Sequence, residues 1–114
     1  MFEFIINNHR WTIEERSQDE IKKDFSNHCD TATSVGKYYG VTWQDTQTIL
    51  LDKDLHEEAK KTTLIHELTH CYICSFITHT DKTYTDEDVA DIVANSHDFI
   101  NEIIGKYFKA ENEK

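Results

Sequence analysis

Proline is absent from the 114 residues, and neither an internal repeat nor a low-complexity stretch interrupts them. Nothing marks a linker, so residues 1–114 read as one domain, large enough for a single core but not for two. Cysteine is scarce and odd in number, at Cys29, Cys71 and Cys74. Two of the three fall on one expected helix, which argues against a disulfide framework and for reduced thiols in a cytosolic setting. No apolar run approaches the roughly 18–20 residues that span a bilayer. The start, Met-Phe-Glu-Phe-Ile-Ile-Asn-Asn, has no basic residue and carries Glu3, which argues against a secretory signal. Positive charge is also short: 12 Lys and Arg stand against 22 Asp and Glu, a net charge of −10. Nucleic-acid binding wants a basic footprint and is disfavoured.

What is present suits a water-soluble α+β domain, with 38% hydrophobic residues and a mean hydropathy of −0.67. Residues 2–6 and 11–15 alternate apolar and polar, as two strands joined by a turn at Asn7-Asn8-His9. Ser17 to Glu20 has capping-box spacing and should open a helix running to about Cys29, with Ile21 and Phe25 inward. Thr31 to Ser34 reads as loop. Tyr38–Trp43 and Thr46–Leu51 are rich in β-formers and suggest strands about a tight turn at Gln44-Asp45. Asp54 to Glu57 has the spacing of a second cap, opening a long helix that should end near Thr78–Thr80. Thr85 to Asp88 caps the last helix, whose stripe is Val89, Ile92, Val93, Ser96, Ile100, Ile103, Ile104 and Tyr107, with Glu111 to Lys114 fraying. The expected architecture is a small antiparallel sheet packed on the long helix, with one more helix at each end of the chain.

The stretch that suggests a chemistry is His66-Glu67-Leu68-Thr69-His70, an H-E-x-x-H pattern. On a helix, residues four apart share a face about one turn from each other, so both imidazoles can reach one Zn²⁺. Glu67 then stands beside the metal, placed to take a proton from a bound water. The surrounding Leu64, Ile65, Leu68, Tyr72, Ile73, Phe76 and Ile77 make the segment apolar almost all round and suggest a buried helix. The bland alternative is two core histidines with satisfied hydrogen bonds.

A catalytic zinc usually has three protein ligands and an open position. The metzincin extension is excluded, because the glycine and histidine it needs are Ile73 and Phe76 here. Cys74 shares the histidine stripe, but it lies about 12 Å along the axis from His66 and cannot join both on a straight helix. Glu87 is the better candidate, with Asp91 one turn on to accept a hydrogen bond from a ligand histidine. Against this, Glu87 and Asp91 lie nearly opposite the Val89/Val93/Ile100 stripe. Asp88, Asp91, His79 and His97 are the substitutes, and an exposed first-turn acid favoured by the helix dipole is the bland reading of Glu87. Cys71 and Cys74 read as core thiols. An oxyanion donor could be Tyr72, Tyr84, His79 or His97.

Thr63-Leu-Ile-His-Glu-Leu-Thr-His70, followed by Glu87-x-x-Ala-Asp91, resembles the gluzincin arrangement. Within it the chain is most similar to the small ImmA/IrrE-like metallopeptidases carried by phages and mobile elements, over roughly residues 38–100. Val93 and Thr69 depart from the residues usual at those positions. The resemblance implies one Zn²⁺ per chain held by His66, His70 and Glu87, with Glu67 as general base and Asp91 supporting a ligand. The implied activity is zinc-dependent hydrolysis of a protein or peptide, which would lie along a sheet edge at Thr46–Leu51 by strand addition. The alternative is a non-catalytic, metal-supported binding protein whose acidic surface engages a basic partner. A structural site needs no general base, so tolerance of Glu67→Gln separates the two.

Overall fold

A computed structural model describes residues 1–28, 39–77 and 84–113. The expected loop at Thr31 to Ser34, the helix end expected near Thr78–Thr80, Cys29 and His79 lie outside them.

The first elements follow local chemistry closely. Strands β1 (Phe2–Ile6) and β2 (His9–Arg16) form a hairpin with Ile6 opposite His9. The turn is Asn7-Asn8, at φ of 50° and 65°. Asparagine tolerates the left-handed region, and a two-residue turn of this hand matches strand twist. Helix α1 (Gln18–His28) starts at the expected Ser17, whose Oγ accepts from the Glu20 amide at 3.3 Å; its hydroxyl, rather than its backbone N–H as in a full capping box, donates to Glu20 Oε1 at 3.0 Å. Strands β3 (Gly40–Trp43) and β4 (Thr48–Asp52) pair Trp43 with Thr48, so the turn is Gln44–Gln47 rather than the tighter one expected. With no glycine there, Gln47 itself takes a φ of 52°.

The sheet has the order β1-β2-β4-β3. Both outer pairs are antiparallel, but β2 and β4 at the centre are parallel. This corrects the antiparallel expectation. Crossing through α1 before the β3–β4 hairpin returns the chain so that β4 runs alongside β2. Ile49, Leu50 and Leu51 are all buried, with Asp52 buried after them, and such an unbroken apolar run of three marks a strand covered on both faces.

Helix α2 (Glu57–Phe76) and helix α3 (Asp86–Asn112) cover one face. Leu64, Leu68 and Cys71 join Phe4, Trp11, Ile13, Ile49, Leu51, Ile100, Ile103 and Tyr107 in the main core. The other face carries α1 and a smaller core of Ile21, Val41 and Leu50, flanked by Phe25 and Trp43. Two helix expectations need correction. Helix α2 is not buried all round: Ile65 and Phe76 are exposed, and so are His66 and His70. Its start has His56 as N-cap without a side-chain cap bond, so Asp54 does not cap it. Buried Asp52 instead organises the turn before it, accepting from the Asp54 amide at 2.9 Å and from Gln18 Nε2 at 2.8 Å. Helix α3 begins on the expected capping box, with Thr85 and Asp88 exchanging bonds of 3.1 and 3.0 Å. Its inward stripe holds from Ile92 to Tyr107, but Val89 and Val93 are 50% and 60% exposed.

One polar cluster ties β2 to both helices. Lys60 Nζ donates to Glu15 Oε1 at 2.8 Å, and the Tyr107 hydroxyl donates to Glu15 Oε2. Burial alone would push the Glu15 carboxyl up, but these bonds outweigh it and hold it below its ordinary value of 4.5. A carboxyl lowered by folding contributes stability that is complete above its unfolded value and is lost as pH falls through the folded one. Denaturant midpoints of the parent and Glu15→Gln should therefore differ most above pH 4.5 and converge as pH falls below it into acid. A gap that persists unchanged into acid would show that the charge of Glu15 is not what matters.

Candidate functional site

The H-E-x-x-H segment lies in the middle of α2. Its two histidines present their Nε2 atoms to each other at 3.1 Å. Two nitrogens sharing a tetrahedral zinc at about 2.0–2.1 Å would lie roughly 3.3 Å apart, so the pair fits the donor chemistry of that ion. The same spacing suits an N–H···N hydrogen bond between the rings.

Glu67 projects from the adjoining face of α2 and is buried, at 6% exposure. It is held there by Thr42 of β3, whose hydroxyl lies 2.8 Å from Glu67 Oε1 and 3.1 Å from the Glu67 carbonyl oxygen. Side chains two apart on a strand share a face, so Gly40 and Thr42 both face α2. Gly40 is needed for close approach: a β-carbon there would stand 2.7 Å from Thr63 Cγ2, 3.1 Å from Glu67 Cγ and 3.2 Å from the Leu50 carbonyl oxygen. Gly40→Ala should push β3 and α2 apart, and the expected cost is about 1–3 kcal/mol. Thermal unfolding measures it; a variant as stable as the parent would mean the two elements have slack that the contacts do not indicate.

An open cleft of about 1050 Å³ runs along this region. Its walls include both histidines and Glu67 from α2, the whole of β3, Phe25 of α1 and Tyr84 just before α3. Strand β3 ends the sheet, and among the described residues no strand pairs with its outer side. The direction of its backbone groups follows from one bond, Asp52 N–H to the Tyr39 carbonyl at 2.9 Å. Bonded and non-bonded pairs alternate along an antiparallel ladder. Val41 and Trp43 therefore face β4, whereas the N–H and C=O groups of Gly40 and Thr42 face the open edge. The strand-addition site expected at Thr46–Leu51 is thus corrected: β4 has β2 on one side and β3 on the other.

The acidic candidates sit apart from the histidines. Glu87 is exposed in the first turn of α3, and neither it nor Asp91 lines the cleft. Asp91 and Asp88 instead border a recess of about 130 Å³ with Tyr72 and Ile77. Helix geometry explains this: α3 turns Ile92, Ser96 and Ile100 inward, and the Glu87/Asp91 stripe lies on another side. Among the described residues, no group of three His, Cys, Asp or Glu side chains is placed to hold one metal ion. Asp88 is engaged in the Thr85 capping box, and exposed His97 lies 3.5 Å from Asp98. Of the oxyanion candidates, Tyr84 lines the cleft; Tyr72 borders the smaller recess.

Burial disfavours the thiolate form of both described cysteines. Burial pushes Cys71 up to about 12. Cys74, which reaches the cleft wall, is raised for the same reason and donates to the Cys71 carbonyl at 3.3 Å. Sequence reasoning missed Thr42, Gly40 and the Phe25–Trp43 wall. The i, i+2 pattern of β3 was visible, but its placement against α2 is tertiary. No helix of the described residues is long and apolar enough to cross a membrane. Comparison with protein-family models, curated proteins and solved structures returned no match to this chain.

Proposed function

We propose that this chain is a minimal zinc-dependent endopeptidase of the gluzincin kind, resembling the ImmA/IrrE-like enzymes and working in a cytosolic setting. The observation that supports it most is the paired histidine Nε2 atoms, 3.1 Å apart, beside a buried carboxylate in a cleft that opens on a sheet edge. A zinc ion held by His66 and His70 would supply a Lewis acid for the peptide carbonyl and lower the pKa of a water molecule. Glu67 takes the proton from the attacking water and returns it to the leaving amine. The Thr42 hydroxyl engages Oε1, so Oε2 is the oxygen left for that proton. The substrate lies extended along β3 and bonds to the backbone of Gly40 and Thr42, which extends the sheet by one strand. Glu87 is kept as the third metal donor, and Asp91 as the acceptor of a hydrogen bond from a ligand histidine, on the resemblance alone.

A second reading draws on the lack of a three-donor group among the described residues. In it the chain binds a basic protein partner through its acidic surface, and the histidines or a metal serve only the fold. Zinc per chain, measured by elemental analysis on the parent, His70→Ala and Glu87→Ala, tests the first reading. Near one zinc in the parent and a clear loss in both variants is expected. Loss in His70→Ala alone would move the third donor away from Glu87. A parent that holds no metal after zinc is supplied would end the enzyme reading.

A further inference from the structure

The cleft reaches around β3 rather than stopping at one face of the sheet. Gly40 and Thr42 point to the α2 face, Val41 and Trp43 to the α1 face, and all four line it. A peptide strand laid against this edge would send alternate side chains to the two sides. On the α2 side they meet His66, His70 and Glu67. On the α1 side they meet Phe25, Val41 and Trp43, with the Phe25 and Trp43 rings edge to face at 5.0 Å and 66°. We infer that the Phe25–Val41–Trp43 wall is a specificity subsite that selects extended peptides carrying one large apolar side chain at the position facing α1.

Charge argues the same way. Among the described residues lining the cleft, Glu67 is the sole carboxylate and there is no lysine or arginine. A charged peptide side chain directed at the aromatic wall would lose water without gaining a partner, whereas an apolar one removes its own surface from water. The subsite is one residue deep. Beyond Trp43 the same face opens into a groove of about 430 Å³ bordered by Glu14, Arg16, Glu20, Lys23 and Asp24, so the next side chain on that side meets charge.

This rests on the peptide-binding reading of the cleft, and the experiment separates the two. The full chain is kept metal-free with chelator, so that no turnover occurs. Acetylated, amidated hexapeptides of serine and threonine, carrying Phe or Asp at a single position, are titrated in and followed by backbone amide NMR. The Phe peptides should bind roughly tenfold tighter than the Asp peptides, as expected from burial of one aromatic side chain. Binding should slow hydrogen exchange at the Gly40 and Thr42 amides, and Trp43→Ala and Phe25→Ser should each abolish the preference. Equal binding of both peptide sets, with Gly40 and Thr42 still protected, would overturn the subsite and leave the peptide site standing. Failure of every peptide to bind, at up to millimolar concentration, would overturn both. The comparison of peptides on the unaltered chain is decisive even if neither variant folds.

Discussion

Glu67→Gln is expected to lower peptidase turnover by about 10²–10⁴-fold while the protein keeps its fold and its zinc. The substitution preserves shape, and the glutamine carbonyl can still accept from the Thr42 hydroxyl that now lies 2.8 Å from Oε1. What it removes is the ability to hold a proton. A buried carboxylate against a strand is costly unless hydrogen-bonded or useful, and the bond from Thr42 makes this one tolerable without explaining why it is an acid. The proposed role as general base would supply the reason. Turnover of a peptide mixture by zinc-loaded parent and variant measures the effect. A variant as active as the parent would remove Glu67 from the chemistry, and activity in neither would favour the binding-protein reading.

The largest effect on stability is expected for Leu68→Ala, at about 2–5 kcal/mol. Leu68 has 0% exposure and lies in the main core with Leu64 and Cys71, on the face of α2 that meets the sheet. Removing it leaves a cavity under the turn that carries both histidines. Its neighbour Ile65, 39% exposed on the same helix, is the control: Ile65→Ala should cost within about 0.5 kcal/mol. Chemical denaturation of the three proteins gives the comparison. Equal costs would mean that the buried face of α2 has been assigned to the wrong residues.

Periodicity alone could not say which face of α2 is buried. Isoleucine, leucine, tyrosine and phenylalanine surround the helix, so the histidines read as enclosed; only its packing on β4 and α3 leaves one flank open to the cleft. The same holds for α3, where Val89 and Val93 continue the core stripe yet emerge into solvent. Spacing placed Glu87 and Asp91 on one face correctly, but whether that face meets α2 depends on how α3 is rotated. The parallel pairing of β2 and β4 had a local sign in the Ile49-Leu50-Leu51 run, though not one that names the partner.

By itself, then, the sequence determined the elements whose signals are local. These are the β1–β2 hairpin, whose turn is Asn7-Asn8 where the sequence suggested Asn7 to His9, the helix starts at Ser17 and Thr85, and the four-residue spacing that brings His66 and His70 together. Each depends on groups within one turn or one hairpin of each other. Tertiary structure decided the rest: which strand is the open edge, that Thr42 reaches Glu67 across 25 positions of chain, and that Phe25 and Trp43 form one wall. Those contacts join elements whose relative placement follows from the sum of core packing, and no single segment carries that information.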